Sequence, residues 1–190
     1  MKDKDLAMYL NELRKEALAH AIAAGFHDTY HSIEHYLCLV VSELMEAVEA
    51  DRKDRHCTLD FDIDILFDIE NKVAFQITFE DRVKDTVEDE LADTVIRLLD
   101  FAGLTGLSII RLVPIDIQKQ EFTDWAFIAV RAVQRIADTK STIIRKEFAL
   151  SEAIAWIFSA AKWLKFDLIK HIELKMRYNS MRPHMHGKRY

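Results

Sequence analysis

Two pairs of acids in this chain have a spacing that could do chemistry. Glu43 and Glu46 stand three apart in SELMEAVEA, and Glu90 and Asp93 stand three apart in EDELADTVIRLLD. On a helix, residues three apart share a face, so each pair presents two carboxylates in one direction. Two such helices packed side by side converge four carboxylates. An all-oxygen cluster of that kind suits a hard divalent cation, Mg²⁺ or Mn²⁺. Such ions neutralise the acids, bind phosphate oxygens and activate a water.

Spacing alone does not single these pairs out. With 32 acids in 190 residues, chance supplies about five acidic i,i+3 pairs. Asp51/Asp54 and Asp85/Glu88 are also such pairs and read as solvated charge. Context separates the first two. Glu43 and Glu46 share their helix face with Tyr36 and Leu39, so that face is not simply polar. Glu90, Asp93, Arg97 and Asp100 form one stripe opposite Leu91, Val95, Leu98 and Leu99. If that stripe faces a site, Arg97 is a candidate counter-charge or phosphate contact; if it faces solvent, Arg97 is a plain surface residue.

The elements that position these groups are helices. Only 4 Gly and 2 Pro occur in the chain, too few for a fold built mostly of turns. Apolar periodicity predicts helices over 4–24, 29–54, 82–102, about 123–138, 142–149, 151–164 and 168–179. Gly25, Gly103 and Gly106 read as helix stops, and Thr123 or Asp124 and Asp167 as N-caps. Residues 59–79 break the pattern. Phe61, Ile63, Ile65, Phe67 and Ile69 alternate with other residues, and so do Val73, Phe75, Ile77 and Phe79 beyond Glu70-Asn71-Lys72. Period two on both sides of a polar turn predicts a β-hairpin. The expected fold is therefore all-α. It is a single helical domain over 1–190, with a small β-hairpin (about 59–79) in an insertion at 57–80 and a basic tail at 180–190.

The formal net charge of −6 speaks against a nucleic-acid-backbone binder, which needs a large basic surface. Cys38 and Cys57 form no CxxC motif, and Cys38 reads as buried packing. No apolar run reaches the length of a bilayer span, and no signal-peptide pattern is present. The expectation is a cytoplasmic protein with neither membrane nor nucleic acid as partner. His31/His35 and His184/His186 are weak transition-metal signals without a third ligand. Trp125, Trp156 and Trp163 read as core.

The ordered segments SELMEAVEA, EDELADTVIRLLDFAG and HIELKMRYNSMRPHMHGKRY together resemble the ExxE…ExxD signature, K-x-x-x-N segment and basic tail of the all-α nucleoside triphosphate pyrophosphatases, the MazG-like group. The resemblance spans roughly 29–54, 82–103 and 150–190. It implies a helical bundle assembled as a homodimer or a dimer of dimers. It also implies a Mg²⁺-dependent hydrolase that cleaves a nucleoside or deoxynucleoside triphosphate between the α and β phosphates. Glu43, Glu46, Glu90 and Asp93 match the metal ligands and catalytic acids. Lys175 matches the lysine that reaches the phosphates, and Asn179 the asparagine near sugar or base. His171, Lys175 and Asn179 recur at i,i+4,i+8 and share a helix face. As a lid, Arg182, Lys188 and Arg189 in the tail could close on a triphosphate; the alternative is a disordered basic end. Two departures from the family pattern stand out: Ser42 where an additional acid is frequent, and the insertion between the two motifs. They give weight to an alternative, a non-catalytic helical nucleotide-sensing or interaction module of the same fold.

Overall fold

A computed structural model of the chain describes residues 3–57, 62–113, 115–117, 120–137, 142–187 and 189. Among them the regular structure is helical throughout. The helices are α1 (Asp3–Ala23), α2 (Ile33–Arg52), α3 (Ile65–Asp68), α4 (Lys72–Arg82), α5 (Val87–Thr105), α6 (Phe122–Gln134), α7 (Ile143–Leu164) and α8 (Leu168–Asn179). Short 3₁₀ turns follow α6 and α8, at Arg135–Ala137 and His184–Gly187.

α5 is the hub, packing against α1, α2, α7 and α8, while α6 lies against α2 and α7. Leu91, Val95, Leu98 and Leu99 of α5 are fully buried with Val40 and Leu44 of α2 and Leu10 of α1. Helix starts are written in the local sequence. The side chains of Ser32, Thr86, Thr142 and Asp167 accept from backbone N–H groups in the first turns of α2, α5, α7 and α8. Each satisfies a donor the helix itself cannot. α6 differs from expectation. It starts at Phe122, with Glu121 as an N-cap that makes no side-chain bond. Buried Phe122 packs on Trp125, ring centroids 5.0 Å apart, so apolar contact sets this start instead of capping at Thr123 or Asp124.

Gly103 also departs from the sequence reading. It lies inside α5, and the helix ends at Gly106, whose φ of 71° lies in the left-handed region. A Cβ at Gly103 would stand 2.8 Å from Leu18 Cβ and 3.2 Å from the carbonyl oxygen of Arg14. The glycine therefore permits close approach of α1 and α5. The two expected helical stretches at 142–149 and 151–164 are one helix, α7, because Ser151 is buried and its hydroxyl accepts from Ile110 N–H at 3.1 Å without interrupting the turn. Cys38 is exposed, not buried.

The predicted β-hairpin is not formed among the described residues; 59–61 lie outside them. In its place are α3 and α4. The Asn71 side chain, expected in the turn, instead caps α4 by accepting from Ala74 N–H at 3.0 Å. In a strand, Val73, Phe75, Ile77 and Phe79 would share one face. Here Phe75 and Phe79 are fully buried, whereas Val73 and Ile77 are 62% and 63% exposed. Phe75 and Phe79 are also i,i+4, so the same letters satisfy a helix. What decides between the two is α8. Phe79 stacks on Tyr178 (centroids 4.6 Å apart), and the Arg177 guanidinium lies 3.9 Å over the Phe75 ring while bonding the carbonyls of Leu66 and Ile69. With Leu66, Val83 and Leu174 these rings form a second small core.

This packing predicts unequal costs along α4. Phe79→Ala should destabilise the protein by about 3–5 kcal/mol, and Ile77→Ser should stay within about 0.5 kcal/mol of wild type, read by urea unfolding. Equal costs at both positions would contradict the helical register.

Candidate metal and phosphate site

α2 and α5 cross so that Glu43, Glu90 and Asp93 meet. Glu43 and Glu90 are buried and Asp93 is half-buried. One carboxylate oxygen from each lies within 4.8 Å of the other two. Two oxygens around one Mg²⁺ are at most about 4.2 Å apart and around Ca²⁺ about 5 Å, so small side-chain rotations bring all three onto one ion. The donor set is entirely oxygen, which fits Mg²⁺ or Mn²⁺ better than a softer metal.

Two cations stand inside the cluster. Arg97 Nε donates to Glu43 Oε1. Lys175, on α8 and buried, reaches Asp89 at 2.6 Å and Asp93 at 3.2 Å. Four carboxylates (Glu43, Asp89, Glu90 and Asp93) thus face two fixed positive charges. The remaining two negative charges match one divalent cation.

The protonation preferences follow from this geometry. Burial raises the Glu43 carboxyl, reinforced by Asp93 and opposed by Arg97. Burial pushes Glu90 up to about 9, only partly countered by Lys175. The Glu90 carboxyl accepts no hydrogen bond from the described residues. Burial also lifts Asp89, to about 6 despite Lys175, which leaves it ionised at neutral pH. Asp93 is held below the usual range: burial would raise it, but Lys175 and Arg97 outweigh burial. Lys175 stays charged because Asp93, Asp89 and Glu90 together overcome its desolvation.

Glu46 is not within this triad. It is exposed and accepts from Ser42 Oγ at 3.3 Å, though its charge still acts on Glu43. Arg97 is the counter-charge of Glu43. Lys175 is buried between two aspartates, and Asn179 Nδ2 donates to Asp93 Oδ1 at 3.2 Å. Arg182 reaches Asn179 Oδ1 at 3.4 Å. Lys188 lies outside the described residues. His171, on the predicted face with Lys175, is buried and packs edge-on against Phe166. Burial holds its imidazole down to about 4, so it is a neutral core residue.

Asp89 is the group that i,i+3 reasoning misses. Its side chain accepts from Asp85 N–H at 3.0 Å while its backbone N–H bonds the Thr86 cap. Its other oxygen is buried without a hydrogen-bond partner among the described residues. The signal that could find it is the i,i+4 relation to Asp93, which places both acids on the face that α8 covers. Glu88, also buried, plays a different part. It accepts from Cys57 N–H at 2.9 Å and faces His56, tying down the chain that leads into the insertion.

Beside the cluster lies a cavity of about 270 Å³, just below the usual range for small-molecule sites. Asp93, Arg97 and Asp100 of α5 form one wall, and Asn179 and Arg182 another. The end of α1 and the segment after it, including Ala21, Ala24 and Phe26, close the far side. Met185 N–H donates to the Ala24 carbonyl at 2.8 Å, and Phe26 meets His186 edge-on at 5.0 Å. A Cβ on Gly25 would stand 2.0 Å from His184 Nε2. The basic tail is thus seated on the end of α1, against a glycine that leaves room for it.

No family model, curated protein or solved structure matches this chain. No described helix is long and apolar enough to cross a membrane.

The Glu90 environment predicts a stability profile for the metal-free protein. A carboxyl whose folded pKa is raised stabilises the fold below its unfolded pKa, and that stability is lost as pH rises through the folded value. In EDTA, urea unfolding should therefore show stability falling between about pH 4.5 and 9, and Glu90→Gln should flatten the fall. A Glu90→Gln profile parallel to wild type would contradict this environment.

Proposed function

We propose that this chain is a divalent-cation-dependent nucleoside triphosphate pyrophosphohydrolase, cleaving between the α and β phosphates to give a monophosphate and pyrophosphate. One observation carries the reading: three carboxylates, two of them buried, converge from two packed helices at the edge of a cavity lined by Arg97, Asn179 and Arg182.

In this reading Glu43, Glu90 and Asp93 hold Mg²⁺ or Mn²⁺. When bound, the cation compensates the phosphate charge and acidifies the attacking water. Arg97 and Lys175 keep neighbouring carboxylates ionised and aimed, so the ligands need no rearrangement at the moment of reaction. Arg182 and Arg97 flank the cavity with positive charge that suits a polyphosphate. Glu46 stands nearest solvent among the four motif acids, where a carboxylate can accept the water's proton. The water oxygen bonds to the α-phosphorus, and the bond to the bridging oxygen breaks to release pyrophosphate. The seated tail limits water entry.

The exposed setting of Glu46 and its contact with Ser42 favour one second reading, a nucleotide-sensing module that binds without turnover. Incubating the protein with a panel of nucleoside triphosphates and Mg²⁺ separates the two. The proposal expects pyrophosphate release that EDTA abolishes and that Glu43→Gln lowers at least about 100-fold. Binding seen by calorimetry with no pyrophosphate from any nucleotide would establish the sensor instead.

A further inference from the structure

Asp93, Arg97 and Asp100 recur on α5 at i, i+4 and i+7, so they line one face of the helix. Seven residues of helix span about 10 Å, a reach comparable with that from the α-phosphate of a nucleotide to the far edge of its base. All three residues line the cavity. Asp93 is the end at the carboxylate cluster, and Asp100 is the end away from it.

Asp100 has a defined and incomplete set of partners. His27 Nε2 donates to its Oδ1 at 2.7 Å, and that imidazole is in turn contacted by Tyr36 Oη at 3.3 Å on Nδ1. The Asp100 side chain is only 17% exposed, yet Oδ2 takes part in no hydrogen bond with the described residues. Arg97, one turn away, is committed to Glu43. An ionised carboxylate is an acceptor only. A ligand group that meets Oδ2 must therefore donate a proton.

Other residues that line the cavity suit a planar ring. α1 and the residue that follows it contribute Ala17, Ala21 and Ala24, small side chains that leave the space open, and Ile96 and Met176 add an apolar surface.

We propose that Asp100 is a specificity-determining residue that selects nucleotides whose base carries an exocyclic amino group, with Oδ2 accepting from that amine and His27 holding the carboxylate in place. The proposal rests on the nucleotide reading above. Bases with a carbonyl at the corresponding edge, as in uracil or hypoxanthine, bring an acceptor lone pair against the carboxylate. A hydrogen bond to a charged group is worth about 1.5–3 kcal/mol, or about 10- to 100-fold in affinity.

Matched pairs of monophosphates test this without relying on turnover. CMP against UMP, and AMP against IMP, differ at that edge by amino against oxo. Calorimetry with the full chain and Mg²⁺ should give at least about tenfold tighter binding of the amino member in a pair that binds. Asp100→Asn keeps an acceptor for His27 and adds an N–H₂ donor, so it should abolish or invert the preference. A residue that only positions His27 would lower both members of a pair alike. Equal binding of the pair by wild-type protein overturns the Asp100 proposal and leaves the pyrophosphohydrolase reading standing. So does a preference for the amino member that Asp100→Asn leaves intact. Absence of binding by any nucleotide overturns both.

Discussion

The fold is organised around charge that water cannot reach freely. Glu43, Asp89, Glu90 and Asp93 are brought together by α2 and α5 and covered by α8. Isolated buried carboxylates are strongly disfavoured, so each must be paired, protonated or given a cation. Arg97 and Lys175 supply two of the required charges from within the protein. A proton on Glu90 offsets one of the two charges that remain; a divalent ion would offset both. Protonation and stability are therefore linked at a single place.

The rest of the structure can be understood as support for that arrangement. α5 begins at the Thr86 cap, and its first turn carries Glu88, Asp89 and Glu90 where the helix dipole favours negative charge. α8 is fixed from two sides. The large core holds Leu168, Ile172 and Met176, and the small core on α3 and α4 holds Leu174 and Tyr178. Lys175 lies between these anchors, so its ammonium is held in place against Asp89 and Asp93. The insertion therefore contributes to the site indirectly, by clamping the helix that carries the lysine.

Much of this is legible in the residues. Long helices follow from apolar periodicity and from the scarcity of glycine and proline, and the Asp167 cap lies where the sequence places it. Of the two acidic pairs, Glu90/Asp93 and one member of the other, Glu43, meet as their spacing suggests. Glu46 does not join them: its side chain is exposed and pairs with Ser42 one turn back on the same helix. The hairpin expectation fails because the alternation over Val73–Phe79 also contains an i,i+4 aromatic pair. The packing that favours the helical solution comes largely from Tyr178 and Arg177, about a hundred residues away in sequence. Asp89 is hidden among neighbouring acids; its i,i+4 relation to Asp93 is the local signal, and its pairing with Lys175 of α8 comes from a distant segment. The cavity is beyond local inference altogether: its walls come from α1, α5, α8 and the tail.

The central claim is that the converging carboxylates form a divalent-cation site. Titration of the purified protein with Mn²⁺, followed by electron paramagnetic resonance of the free ion, tests it without assuming any reaction. The account predicts saturable binding of one ion per chain, competed by Mg²⁺, and lost in both Glu43→Gln and Asp93→Asn while helical content is unchanged. Mn²⁺ that stays free at all concentrations, or binding that survives both substitutions, would contradict it.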